Sequence, residues 1–274
     1  MRNNWLCGKT AIITGASGGI GAAVTKLLIE KFDCKIIGIA RNEERLKALQ
    51  DSLKNKRDNF SYRIFDVSVR ENWANFANEL TLNGIIPDIL INNAGFMLPF
   101  KRFENLTFEE IDEIVATDFI SNLNSTKYLL PLIKQSSSPA IVNVSSAAGL
   151  CAVVGESMYC AVKFAVRGFT ETLIEEYKGK IYVAGVYPGF IRTEILKRMS
   201  VTDKENKLIN KFMMPVDKAA KKIVKGLSHR KKRMVMGADG RSMSFFGRLF
   251  PKATPALVAK VLKDSGLELF SEVF

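Results

Sequence analysis

Three side chains able to do chemistry lie close together in the sequence. Ser146 ends the apolar run Ile141-Val-Asn-Val-Ser-Ser146, and Tyr159 and Lys163 follow, four residues apart, in a stretch with helical pattern. Residues i and i+4 share one helix face, so a phenol and an ammonium project the same way. A tyrosine ordinarily gives up its proton only near about pH 10, and a cation fixed beside it favours the phenolate. Such a phenol can act as general acid or base, and a serine hydroxyl at a strand end can hold the oxygen on which the proton lands. The same spacing also arises on ordinary amphipathic helices, with the tyrosine packed and the lysine solvated. The surrounding elements must decide.

Those elements begin with Lys9-Thr-Ala-Ile-Ile-Thr14, a short β-branched run, followed at once by Gly15-Ala-Ser-Gly-Gly-Ile-Gly21 and then by a helical pattern. A strand, a glycine turn and a helix in that order let backbone N–H groups at a helix N-terminus meet a pyrophosphate. Gly15, Gly19 and Gly21 suit the tight turn, the close approach and the helix packing, with Ser17 and Ile20 completing the loop. The next strand, Lys35-Ile-Ile-Gly-Ile-Ala40, ends in Arg41. An acidic residue there would suit the ribose 2′-hydroxyl of NAD, whereas an arginine suits the 2′-phosphate of NADP; Arg41 could also be a solvated residue opening the helix predicted over 43–56. Phe60–Phe65 reads as a strand leading to Asp66 and Val67, where Asp66 could accept from an adenine amino group or cap the turn. Asp88-Ile-Leu-Ile-Asn-Asn-Ala-Gly95 is a further strand running into Asn93, Ala94 and Gly95. A long helix is predicted from Thr107 to about Lys134. After the Tyr159 helix come a strand over 180–186, the turn Tyr187-Pro-Gly-Phe-Ile-Arg-Thr193, and a poorly patterned stretch to Met214 that reads as a lid. Gly15, Arg41, Asp66 and Asn93 all fall just past strand carboxyl ends, the edge where open parallel sheets bind ligands.

Composition narrows the classes. The 274 residues, 47% of them hydrophobic, suit a packed α/β core. No run of about 18 apolar residues and no charged leader with a long apolar stretch is present, so a cytoplasmic location is expected. Cys7, Cys34, Cys151 and Cys160 lack C-x-x-C spacing and read as buried thiols rather than disulfides. His229 is the sole histidine, in the basic run Ser228-His-Arg-Lys-Lys-Arg233, which excludes a histidine triad and argues against a metal site. The formal charge of +12 is uneven: residues 196–264 carry 18 Lys/Arg against 5 Asp/Glu, and the remainder 22 against 23.

Taken together, Thr14-Gly-x-x-x-Gly-x-Gly21, Asn92-Asn-Ala-Gly95, Ser146, Tyr159-x-x-x-Lys163 and Pro188-Gly-x-x-x-Thr193 resemble, in order and spacing, the short-chain dehydrogenase/reductase family over essentially the whole chain. The hydroxysteroid-dehydrogenase-like, lipid-ketone-reducing branch is the nearest. The resemblance implies a Rossmann-like, doubly wound, seven-stranded parallel sheet in a three-layer α/β/α single domain over 1–274, with a lid at 190–214 and a basic tail at 241–274. It implies a nicotinamide cofactor, here NADP, across the strand ends. Tyr159 becomes the acid/base, Ser146 the holder of the substrate oxygen, and Lys163 the ribose ligand that lowers the phenol pKa. Asn93 positions the cofactor end of its strand. Pro188 and Gly189 lead to Ile191 and Thr193, which hold the carboxamide. One departure concerns the family's usual asparagine in the long helix, replaced here by Asp118; a carboxylate accepts hydrogen bonds but does not donate as an amide does. A non-catalytic dinucleotide sensor is the alternative.

The segments expected to face the nicotinamide supply Phe96, Met97, Leu98, Leu150, Val153, Val154, Met158 and Phe190, so a hydrophobic ketone or secondary alcohol is the expected substrate. In the tail, Phe245, Phe246, Leu249 and Phe250 share a helical face beside Arg241, Arg248 and Lys252. That face suits a second subunit, in a homodimer or homotetramer, or an anionic membrane surface; no motif supports nucleic acid.

Overall fold

The structure, a computed structural model, describes residues 4–193 and 213–274. Seven strands form one parallel sheet: β1 (Thr10–Thr14), β2 (Lys35–Ala40), β3 (Phe60–Ile64), β4 (Ile89–Asn92), β5 (Ala140–Val144), β6 (Tyr182–Pro188) and, after the short β7 (Ile191–Arg192) and β8 (Met214–Pro215), β9 (Arg233–Met236). Their order across the sheet is β3-β2-β1-β4-β5-β6-β9, while β7 and β8 pair separately. The helices are α1 (Gly19–Phe32), α2 (Glu43–Ser52), α3 (Arg70–Leu82), α4 (Phe108–Val115), α5 (Ser121–Ile133), α6 (Ser157–Glu176), α7 (Val216–Ser228), α8 (Ala238–Leu249) and α9 (Ala253–Asp264). This is the expected doubly wound architecture.

The strand sequences set the layering, because successive side chains point to opposite faces. Ile37, Ile12, Leu90, Ile141 and Val183 lie in register across five strands and pack on Trp73 and Phe76 of α3 and Leu129 of α5. One residue earlier on each strand, Ile36, Ala11, Ile89, Ala140 and Tyr182 form the opposite row, beneath Val24 and Leu28 of α1 and Ile223 of α7. Strands buried on both faces read as continuous apolar runs, which is why each was visible in the sequence.

The long helix differs from expectation. A capping box starts α4, with Thr107 and Glu110 each bonding the other's backbone. Over Ala116–Ile120 the chain then widens into a π-helical turn before α5 continues. An extra residue per turn rotates the side chains that follow, and such turns recur at functional sites; Asp118 sits in this one. The helix expected over 43–56 stops at Ser52 and gives way to a 3-10 turn at Lys54–Asn59. The tail folds as α8 and α9, and the terminal Phe270 and Val273 pack on Met97 and Phe100. Of the expected lid, residues 194–212 lie outside the described residues.

Candidate active site

Sheet order reverses between β1 and β4, and there the strand carboxyl ends open into a cleft of about 600 Å³. Its floor is built by close backbone approach. Gly15 has φ of 65°, in the left-handed region, and a Cβ on it would meet the Asn93 side chain at 2.9 Å. A Cβ on Gly21 would collide with the Gly15 carbonyl, so the α1 N-terminus sits directly on the turn. The Thr14 hydroxyl accepts from the N–H groups of Asn93 and Ala94, each at 2.9 Å, and the Asn93 amide donates to the Thr14 carbonyl at 2.9 Å. Asn93 thus fastens the end of β4 to the end of β1. This tight backbone cradle at a helix N-terminus fits a pyrophosphate.

At one end of the cleft stand Arg41, Asn42, Arg45, Asp66 and Val67. The Asn42 side chain caps α2 by accepting from the Arg45 N–H at 2.8 Å, placing two arginines around the first turn. Asp66 accepts from the backbone N–H and the hydroxyl of Ser68 at 2.9 and 2.7 Å and pairs with Arg41 at 3.5 Å. Burial opposes ionisation of Asp66, but the Ser68 hydrogen bonds and Arg41 outweigh it and hold the carboxyl below its ordinary range. Asp66 therefore caps its turn and also lines the cleft.

At the other end the three chemical residues converge. Ser146 lies two residues past the end of β5, where it caps a 3-10 turn, Tyr159 and Lys163 share a face of α6, and all three line the cleft. The Lys163 ammonium lies 5.5 Å from the Tyr159 ring centre. It also pairs with the buried Asp118 carboxylate at 2.9 Å, while the other Asp118 oxygen accepts from the Phe96 N–H at 2.9 Å. The π-helical turn aims this carboxylate at α6. Burial drives Lys163 toward its neutral form, but Asp118 and Tyr159 outweigh it and raise its pKa above the ordinary value.

The Tyr159 phenol is pulled both ways. Lys163 and a hydrogen bond from Ser146 do pull the Tyr159 phenol down, but burial is the larger influence, and Asp118 and Glu156 add to it. The net shift is upward, so the phenol holds its proton more firmly than free tyrosine.

A buried polar network anchors these helices to the sheet. The Asn92 amide donates to Asn143 at 2.9 Å and accepts from Ser125 of α5 at 2.7 Å; Asn143 donates to Thr170 of α6 at 2.9 Å. The Ser145 hydroxyl, beside Ser146, donates to the Lys163 carbonyl at 2.8 Å. Such satisfied networks hold side chains in one arrangement.

Every glycine-turn residue expected at the site lines the cleft except Gly21, which lies beneath it, and Pro188, Gly189, Ile191 and Thr193 line it too. Asp239 of α8 accepts from the Phe190 N–H at 2.6 Å and so braces that segment. Of the expected substrate contacts, Phe96, Met97, Val153 and Phe190 reach the cleft. Leu98 and Leu150 are core, Val154 faces solvent, and Met158 packs beside Leu98 and Ile114. Sequence reasoning missed Arg45, Thr117, Asp239 and Met243, and it reached Phe100 and Glu156 only as members of the segments 96–103 and 150–158 expected to face the nicotinamide. Arg45 follows an asparagine N-cap and could have been found; Asp239 and Met243 come from a distant helix and carried no local signal. No group of residues suited to a metal occurs among the described residues.

The family model for short chain dehydrogenase matches residues 9–204. The chain is 33% identical over 268 residues to SadH of Mycobacterium tuberculosis, a provisionally named oxidoreductase, covering 92% of this chain and 94% of that one. It is 33% identical over 204 residues to the 3-oxoacyl-[acyl-carrier-protein] reductase FabG of Rickettsia prowazekii, covering 73% and 80%. Among solved structures, a short-chain dehydrogenase from Sphingobium yanoikuyae in complex with NADPH superposes with a TM-score of 0.74 at 26% identity over 90% of this chain and 95% of that one. One from Streptomyces avermitilis gives 0.76 at 25% over 94% and 99%.

Proposed function

Because the chain belongs to the short-chain dehydrogenase family of nicotinamide-dependent oxidoreductases, we propose that it interconverts a hydrophobic ketone and a secondary alcohol with NADP(H). The observation that carries this reading is the convergence of Ser146, Tyr159 and Lys163 on the cleft that the glycine turn also lines. Arg41 and Arg45 favour NADP over NAD, because paired guanidinium groups complement a 2′-phosphate. The residues fit the cofactor in order: the glycine turn for pyrophosphate, Asn93 and Lys163 for the nicotinamide ribose, Ile191 and Thr193 for the carboxamide. When bound, the nicotinamide supplies or accepts the hydride.

The protein's own part is proton chemistry. Ser146 holds the substrate oxygen, and Tyr159 donates to it during reduction or takes its proton during oxidation. Lys163 keeps a positive charge beside the phenol in either direction. Burial holds the proton on Tyr159, the form that ketone reduction uses, whereas oxidation must draw on the phenolate. Phe96, Met97, Phe100 and Val153 make the substrate wall apolar, which suits a steroid-like or long-chain ketone. The whole chain acts as one NADP-binding domain.

The four free cysteines fit the reducing cytoplasm, and no described helix is long and apolar enough to cross a membrane. The exposed apolar face of α8 suits a second copy of the chain. A sensor without turnover is favoured only by the Asp118–Lys163 pair, which engages the lysine. Turnover of apolar ketones such as nonan-2-one with NADPH separates the readings: Tyr159→Phe should lower kcat by about 10²- to 10⁴-fold while cofactor binding persists. An unchanged rate in that variant, or none in the parent, defeats the enzyme reading.

A further inference from the structure

Glu156 takes no proton or hydride step above and only adds to the forces that raise the Tyr159 phenol, yet it stands one turn before Tyr159 and lines the same cleft. Its side chain is buried, at 4% exposure, and neither carboxyl oxygen has a hydrogen-bond partner among the described residues. It precedes α6 without capping it; only its backbone carbonyl serves the helix, accepting from the Cys160 N–H at 2.8 Å. Around it the cleft wall is apolar, with Phe96, Met97, Phe100 and Val153. A buried carboxyl without partners costs stability, so something outside the folding of this segment must account for it.

We propose that Glu156 is the polar recognition group of the substrate pocket, meeting a neutral hydroxyl or carbonyl oxygen that the substrate carries in addition to the one undergoing reduction or oxidation. This rests on the oxidoreductase reading and narrows its substrate class from apolar ketones to oxygenated ones.

The chemistry selects the partner. Burial pushes the Glu156 carboxyl well above its ordinary range and so favours the neutral acid, which has one O–H to donate and a carbonyl to accept. A ketone oxygen can take that O–H, and a hydroxyl can use both halves. An anionic group would itself lose its hydration against the apolar wall, and a cation would require Glu156 to ionise in apolar surroundings. Glu156 is near enough to act on the Tyr159 phenol electrostatically, so the second oxygen belongs on the side of the pocket where the reacting one sits. A site built to hydrogen-bond one oxygen discriminates against an analogue lacking it, because the protein's polar group is then left unpaired.

The test compares the wild type with Glu156→Gln and Glu156→Leu, each saturated with NADP(H), on two matched pairs: nonan-2-one with 4-hydroxynonan-2-one, and acetophenone with 3′-hydroxyacetophenone. In at least one pair the wild type should prefer the hydroxylated ketone by about tenfold in kcat/KM, the size of one well-made hydrogen bond. Glu156→Leu should abolish that preference through KM while still turning over the plain ketone. Glu156→Gln, whose amide also donates and accepts, should keep most of it. Because leucine removes an unpartnered buried carboxyl, the Glu156→Leu melting temperature should equal or exceed that of the wild type.

Absence of preference in both pairs, or an equal loss on both members in Glu156→Leu, overturns the proposal. A preference for a ketone bearing a quaternary ammonium, lost in the same variant, also overturns it by showing the carboxylate used as an anion. The same pairs compared by ligand-induced thermal shift give a readout independent of turnover. Discrimination in binding without catalysis would defeat the oxidoreductase reading alone, whereas catalysis without discrimination would defeat only the role of Glu156.

Discussion

Asp118 and Lys163 make a buried ion pair where the family resemblance leads one to expect a neutral amide, and the pair changes how Tyr159 is tuned. The carboxylate keeps Lys163 charged and at the same time opposes ionisation of the phenol. A raised phenol pKa means the acid form persists to higher pH, so reduction should hold its rate into the alkaline range while oxidation, which needs the phenolate, rises late. Asp118→Asn removes the charge that opposes ionisation, and the alkaline limb of the oxidation profile should move to lower pH with turnover retained. A limb moving to higher pH would show instead that Asp118 acts chiefly by holding Lys163 protonated, and loss of all turnover would show that the carboxylate is indispensable. The identity of this residue was legible from its spacing to Ser146 and Tyr159. The ion pair was not, because it depends on the direction of a side chain in a turn that departs from α-helical geometry.

The elements were legible wherever burial is two-sided or a terminus carries its own signal. Strands such as Ile89–Asn92 and the Thr107 start of α4 show both cases. The π-helical turn escaped because one extra residue barely disturbs an apolar periodicity, and the docking of Phe270 on Phe100, ring centres 4.8 Å apart, joins segments 170 residues apart. Between these extremes lies the junction of β2 with α2. Arg41 is readable in the sequence as a candidate phosphate ligand, whereas Arg45 joins it at the cleft because the Asn42 cap fixes the first turn. If this junction reads the 2′-phosphate, Arg41→Ser should raise the KM for NADPH about tenfold, the loss of one charge-assisted hydrogen bond, and leave NADH little changed. Adding Arg45→Ser should deepen the NADPH defect. Equal losses with both cofactors would mean that the arginines serve the fold of the junction rather than the phosphate.

Across the whole molecule, charge and apolar exposure both concentrate on the C-terminal side. Phe245, Phe246, Leu249 and Phe250 are each between 45% and 61% exposed on or beside α8, and Leu257 and Val261 add two more apolar side chains on α9, packed against it. Isolated apolar residues on a surface need no explanation, but a run of four aromatic and aliphatic side chains flanking one helix does. The same helix braces the cofactor segment through Asp239, so covering it with a second subunit would steady the active site from behind. Sedimentation should then find the wild type as a dimer or tetramer, and Phe246→Glu with Leu249→Glu should reduce its mass to that of a single chain, because two carboxylates buried at an interface lack partners. A wild type that sediments as one chain and pellets with anionic liposomes at low salt but not at high salt would assign the face to a membrane surface, where the flanking Arg241, Arg248 and Lys252 supply the attraction.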